Sequence, residues 1–103
     1  MIDDLFAQFE GAFAGNTIRA YRADFNRFSR WSCEEGIDPL DARPEDLAAY
    51  IKWRMPTSSS GSIERAVAGL GTIYRLSDRA DITKTSAVVL AMKSMYRQKG
   101  RAQ

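Results

Sequence analysis

The residues best suited to chemistry are arginines. The run Asn16-Thr-Ile-Arg-Ala-Tyr-Arg-Ala-Asp-Phe-Asn-Arg-Phe-Ser-Arg-Trp31 places Arg19, Arg22, Asn26 and Arg30 on one side of a helix advancing about 100° per residue. Ile18, Tyr21, Phe25, Phe28 and Trp31 fall on the other side. One face can bury itself while the other offers guanidinium groups, whose fixed fork of N–H donors matches phosphate. Taken alone, such a row also reads as an ordinary solvated face. Three features favour an anionic partner: the order of the row, a sparsely furnished helix side carrying Arg65, Gly69 and Thr72, and a basic final segment. That segment, residues 82–103, holds Lys84, Lys93, Arg97, Lys99 and Arg101 and no acid, whereas residues 1–15 hold Asp3, Asp4 and Glu10 and no base. The formal net charge is only +2, so charge distribution rather than total charge carries the signal.

Other chemistries find little support. The chain has no histidine and one cysteine, Cys33, which can neither close an internal disulfide nor build a zinc site alone. Cys33 is expected to pack near a helix end. There is no glycine-rich phosphate loop ending in lysine, no nucleophile elbow and no acid cluster at metal-ligand spacing. Catalysis by this chain alone is not expected, nor is a cofactor or metal.

The elements that must position the arginines are helical. At 103 residues, 45% hydrophobic and 27% charged, the chain is sized for one folded domain, and its apolar runs are far shorter than the roughly 20 residues of a membrane span. An acidic N-terminus without a following apolar stretch is unlike a secretory signal, so a cytoplasmic location is expected. The spacing of Leu5, Phe6, Phe9 and Phe13 predicts a short first helix over about 3–13. Asn16 is the expected N-cap of a long second helix that stops at Gly36. Pro44, Glu45 and Asp46 open a third helix burying Leu47, Tyr50, Ile51 and Met55. Pro56 and Thr57-Ser-Ser-Ser-Gly-Ser62 break the chain before a fourth helix over about 62–76, with Ile63, Val67, Leu70, Ile73 and Tyr74 inward. Gly69 and Gly71 cost that helix roughly 1 kcal/mol each relative to alanine, which close approach of another helix or a ligand would offset. A fifth helix over about 85–99 buries Val88, Val89, Met92, Met95 and Tyr96, with Lys93 and Arg97 on its outer side. The four tyrosines, Trp31 and Trp53 read as amphipathic core residues.

Four segments in order carry a resemblance. Asn16 to Trp31 fits T-x-x-x-Y-x-x-D-x-x-x-F-x-x-W; Arg43-Pro-Glu-Asp-Leu-Ala-Ala-Tyr-Ile51 fits a P-E-D-L/V helix start; Ser62-Ile-Glu-Arg-Ala-Val-Ala-Gly-Leu70 fits S/T-I-x-x-x-L/V-x-x-L; Ala87-Val-Val-Leu-Ala-Met-Lys93 follows. This order resembles the N-terminal core-binding domain of tyrosine recombinases, the phage integrase and Cre/Xer group. The resemblance implies an all-α, SAM-like orthogonal bundle of four to five helices forming half of a C-shaped clamp on double-stranded DNA. It implies a short N-terminal helix in 1–15, a core-binding domain over 16–99, and at 100–103 the start of a linker to a catalytic domain absent from this sequence. Thr17, Arg19 and Ala20 would then face the major groove with Ser62, Ile63, Arg65, Ala66 and Gly69, while Arg97 and Lys99 approach phosphates. The residues expected to touch DNA are Thr17, Arg19, Arg22, Asn26, Arg30, Ser60, Ser62, Arg65, Gly69, Lys93, Arg97 and Lys99. Small side chains at 66 and 69 favour shape and phosphate contacts over base readout. Other recombinase subunits in a synaptic tetramer are further expected partners, the first helix supplying a contact, though the domain alone is expected to be monomeric. The rival reading is a helical protein-interaction module that docks Phe6, Phe9 and Phe13 on a partner, with the basic residues merely solubilising.

Overall fold

The structure, a computed structural model, describes residues 2–100. Beyond Gly100 the expected linker start therefore lies outside the described residues. Within them the protein is an all-helical bundle of α1 (Ile2–Phe9), α2 (Gly15–Glu34), α3 (Pro44–Arg54), α4 (Ser60–Leu76) and α5 (Ser86–Lys99), with 3-10 turns at Pro39–Asp41 and Ile82–Lys84. No described residue belongs to a strand, and no helix is long and apolar enough to cross a membrane.

The helix ends follow from local chemistry. Gly36 takes φ +73° after α2, with its N–H donating to Cys33 O and that of Ile37 to Ser32 O, which satisfies carbonyls the helix leaves open. Pro44 begins α3, where the Arg43 N–H donates to the Asp46 carboxylate at 2.9 Å. Ser59 caps α4 by accepting the Ser62 N–H at 3.1 Å. The expected Asn16 cap is corrected: α2 starts two residues earlier than that cap implies, its N-cap position is Ala14, and no side chain closes that end.

Packing pairs α2 with α4 and α3 with α5. Tyr21 meets Gly69 and Asp24 meets Arg65, so residue number rises along one helix as it falls along the other: α2 and α4 are antiparallel. The core joins Phe25, Phe28 and Trp31 of α2 to Leu47, Tyr50 and Ile51 of α3, to Ile63, Leu70, Ile73 and Tyr74 of α4, and to Val88 and Met95 of α5. Its aromatic part is continuous, with Phe28 and Tyr50 ring centroids 4.9 Å apart at an edge-on angle.

α1 belongs to this core. Phe6 is 1% exposed and Phe9 3%, edge-on to each other and to Phe25 and Tyr21 respectively, while Phe13 lies against Phe9 and Tyr21. Phe6 and Phe9, which the rival reading offered to a partner, are thus spent inside the domain, and Phe13 is partly covered against them. Three other expectations are corrected. Cys33 is exposed, lying on the solvent side of the last turn of α2. Trp53 is half exposed and stacks outside Tyr50, and Val89 is partly exposed on α5, away from the side that carries Val88, Ala91 and Met95 into the core.

Candidate nucleic-acid interface

Among the exposed cations, Arg65 is held by both oxygens of a covered carboxylate. Its Nε and Nη2 donate to the two carboxylate oxygens of Asp24 at 3.2 and 3.1 Å. Asp24 is almost covered (7% exposed), whereas Arg65 is 63% exposed. The ion pair therefore ties α2 to α4 and fixes the direction of a guanidinium whose remaining N–H groups face water. The carboxylate also holds Arg65 more firmly in its charged form than an isolated arginine.

The small residues beside Arg65 have a packing role. Ile63 and Ala66 are 1% exposed, and a Cβ on Gly69 would meet the Tyr21 ring at 3.2 Å. Gly69 is buried where α2 crosses α4, so of the five α4 positions expected to face a groove, Ser62 and Arg65 reach the surface. Gly71 answers to a second contact, since its Cβ would lie 2.9 Å from Thr83 Oγ1 in the 3-10 turn. That turn is knotted by Asp81, which accepts from the Thr83 hydroxyl and N–H and from Arg75.

The arginine row of α2 divides. Arg22 turns toward α1, donating to Asp3 at 2.7 Å and lying 4.5 Å from the Phe6 ring centroid. Arg19, Asn26 and Arg30 are exposed, but at about 100° per residue they stand roughly 120–160° around α2 from Asp24. They are not brought to the side that meets Arg65. Thr17 is half-buried, and Lys93 and Arg97 are exposed on α5. The end of α5 does approach the start of α4: Lys99 Nζ donates to Met55 O at 2.9 Å, and the Tyr96 hydroxyl donates to Glu64 at 2.6 Å. Ser62, Arg65 and Lys99 accordingly share one end of the bundle; Ser60, expected to touch DNA, lies there too but is 8% exposed, its side chain covered at the start of α4.

Two arginines at that end escaped the sequence reading. Arg54, the last residue of α3, is 1% exposed and the largest fully buried side chain of the described residues. Its Nε donates to Ser58 Oγ at 3.1 Å and its Nη2 to Ser62 Oγ at 2.9 Å. Arg27 is half-buried on α2. Burial pushes the Tyr50 hydroxyl up, and both guanidiniums lie near enough to oppose that rise. The sequence signal for Arg54 was available but slight: it falls one turn after Tyr50, on the inward side of α3.

Comparison with known proteins agrees with this architecture. The model of the phage integrase N-terminal SAM-like domain matches residues 5–80, well over half of the chain. The chain belongs to that family. A protein named an integrase/recombinase XerD homolog, from Selenomonas ruminantium, is similar at 30% identity over 97 residues, covering 91% of this chain and 28% of that relative. The chain thus spans little more than a quarter of the relative's length. The family match, residues 5–80, includes the latter part of α1 and all of α2, α3 and α4, and therefore the Asp24–Arg65 pair and the serine-rich start of α4.

Proposed function

We propose that this SAM-like domain holds duplex DNA for a site-specific tyrosine recombinase or integrase, as one half of a clamp, while strand breakage and rejoining belong to a different part of the protein. The supporting observation is Arg65. An arginine fixed by a covered carboxylate is ordered before binding, so placing it against a phosphate or base edge costs little side-chain entropy. Ser62, Lys99 and Arg97 extend the same end with donors and positive charge, and Arg27 lies on the adjoining side of α2. Arg19, Asn26, Arg30 and Lys93 occupy other faces, where the proposed role is phosphate contact at a distance from Arg65. Other recombinase subunits are the second class of proposed partner. The exposed apolar side of α5, with Leu90 63% exposed beside Ala48, Lys52 and Ala87, supports such a contact.

Titration of the 15N-labelled domain with a duplex carrying the recombination core site, at low salt, should shift amides in 16–30 and 60–70. Affinity should fall steeply with salt, and Arg65→Ala should lower the slope of log K against log salt by about 0.9, one phosphate's worth of released counterion. Unmoved amides in both segments would sink the proposal.

A further inference from the structure

We propose that the start of α4 is a seat for one phosphate group, built over the buried charge of Arg54; its assignment to the duplex backbone rests on the function proposed above.

The starting point is an arginine in the wrong company. A buried guanidinium is ordinarily matched by a carboxylate, because burying an unpaired charge is costly. None of the ion pairs among the described residues includes Arg54. The edge of its fork that a carboxylate or phosphate would take is filled by two neutral hydroxyls, Ser58 Oγ and Ser62 Oγ. Its Nη1 is buried beside the Tyr50 hydroxyl, with no carboxylate recorded as its partner among the described residues, and the guanidinium lies 5.7 Å from the Tyr50 ring centroid. The positive charge thus turns its Nε–Nη2 edge to the serine cluster and is surrounded by neutral partners, two hydroxyls and the Tyr50 ring.

The same cluster forms the amino end of a 17-residue helix. Ser59 takes the Ser62 N–H with its side chain and the Ile63 N–H with its carbonyl, while the N–H groups of Ser60 and Gly61 have no acceptor among the described residues. A hydroxyl that accepts from a guanidinium still has its own proton to donate, and the charge behind it makes it a stronger donor. Ser58 and Ser62 can therefore pass the attraction of Arg54 outward. With two open backbone donors, the positive end of the helix and Lys99 alongside at Met55 O, the set matches a tetrahedral oxyanion. Glu64, the one acidic residue of α4, keeps its negative charge but is drawn toward α5 by the Tyr96 hydroxyl, which donates to it.

Inorganic phosphate is the direct probe. Titrated at constant ionic strength against chloride, it should give saturable shifts at the Ser60 and Gly61 amides and at Arg54 Nε–H. These should disappear in the S58A/S62A double variant, which keeps the buried charge but removes both relays. Shifts at Ser60 and Gly61 no larger than those at Ser86 and Ala87, which open α5 without an arginine beneath them, would overturn the seat, as would an undiminished response in the double variant. With the core-site duplex, Arg54→Met should lower the salt slope by about 0.9; should it unfold, the double variant carries the test through a loss of the duplex-induced shifts at Ser60 and Gly61. A variant that binds duplex with the wild-type slope and shifts overturns the seat and leaves the duplex reading standing. Saturable phosphate shifts in a domain that binds no duplex would support the seat with free phosphate as its ligand and sink the duplex reading.

Discussion

Asp24 and Arg65 differ sharply in their surroundings, and that difference predicts how each responds to substitution. Removing Arg65 leaves a covered carboxylate without its partner, which costs about 1–3 kcal/mol; because Arg65 itself lies mostly in water, the lower half of that range is expected for Arg65→Ala. A urea denaturation series measures it. The Arg22–Asp3 pair is exposed on both sides, so Arg22→Ala should cost well under about 1 kcal/mol in the same assay. Asp81 gives a pH signature. Burial raises its carboxyl, but the Thr83 hydroxyl, the Thr83 N–H and Arg75 together outweigh burial and hold it below the usual value. Its folded form therefore gives up a proton more readily than its unfolded form. The stability it lends is complete above the unfolded pKa of about 4 and is lost as pH falls through the lower folded value. Urea midpoints measured from pH 7 to pH 3 should drop more steeply for the wild type than for Asp81→Asn.

Among the elements, α4 shows how two helical glycines can have different reasons. Alanine is the better helix former by about 1 kcal/mol, so each substitution begins with a gain. At Gly69 the new methyl meets the edge of the half-buried Tyr21 ring, which can shift by a few tenths of an ångström, and Gly69→Ala should be close to neutral. At Gly71 it meets Thr83 Oγ1 and both Asp81 oxygens inside a turn already fastened by Arg75, and overpacking of that kind typically costs about 1–3 kcal/mol. Gly71→Ala should therefore lower the thermal midpoint, and Gly69→Ala should not. Equal effects would show that the Asp81 turn yields as easily as an aromatic ring.

For the molecule as a whole, α1 is a structural member and not a free arm. Phe9→Ala should cost about 3–5 kcal/mol, a large part of the roughly 5–15 kcal/mol that holds a small domain together. Calorimetry would register it as a much lower melting temperature, whereas a docking residue could be truncated with little change. Much of this architecture was legible beforehand: five helices in the right order, Pro44 and Gly36 at their ends, and the inward stripes of α2, α3 and α4. Such features depend on periodicity and on φ preferences, which neighbouring residues impose locally. Locally determined too was the supply of guanidiniums, and with it a surface suited to phosphate. Which guanidiniums meet was settled only by tertiary structure. The pattern grouped Arg22 with Arg19 and Arg30, yet docking of α1 drew Arg22 to Asp3, and the antiparallel crossing of α2 and α4 joined Arg65 to Asp24. The same folding buried Arg54 under the serines of α4. A helical wheel gives the angle of each side chain about its own axis, but partnership depends on where a second axis passes, and that is decided by the packing of the whole core.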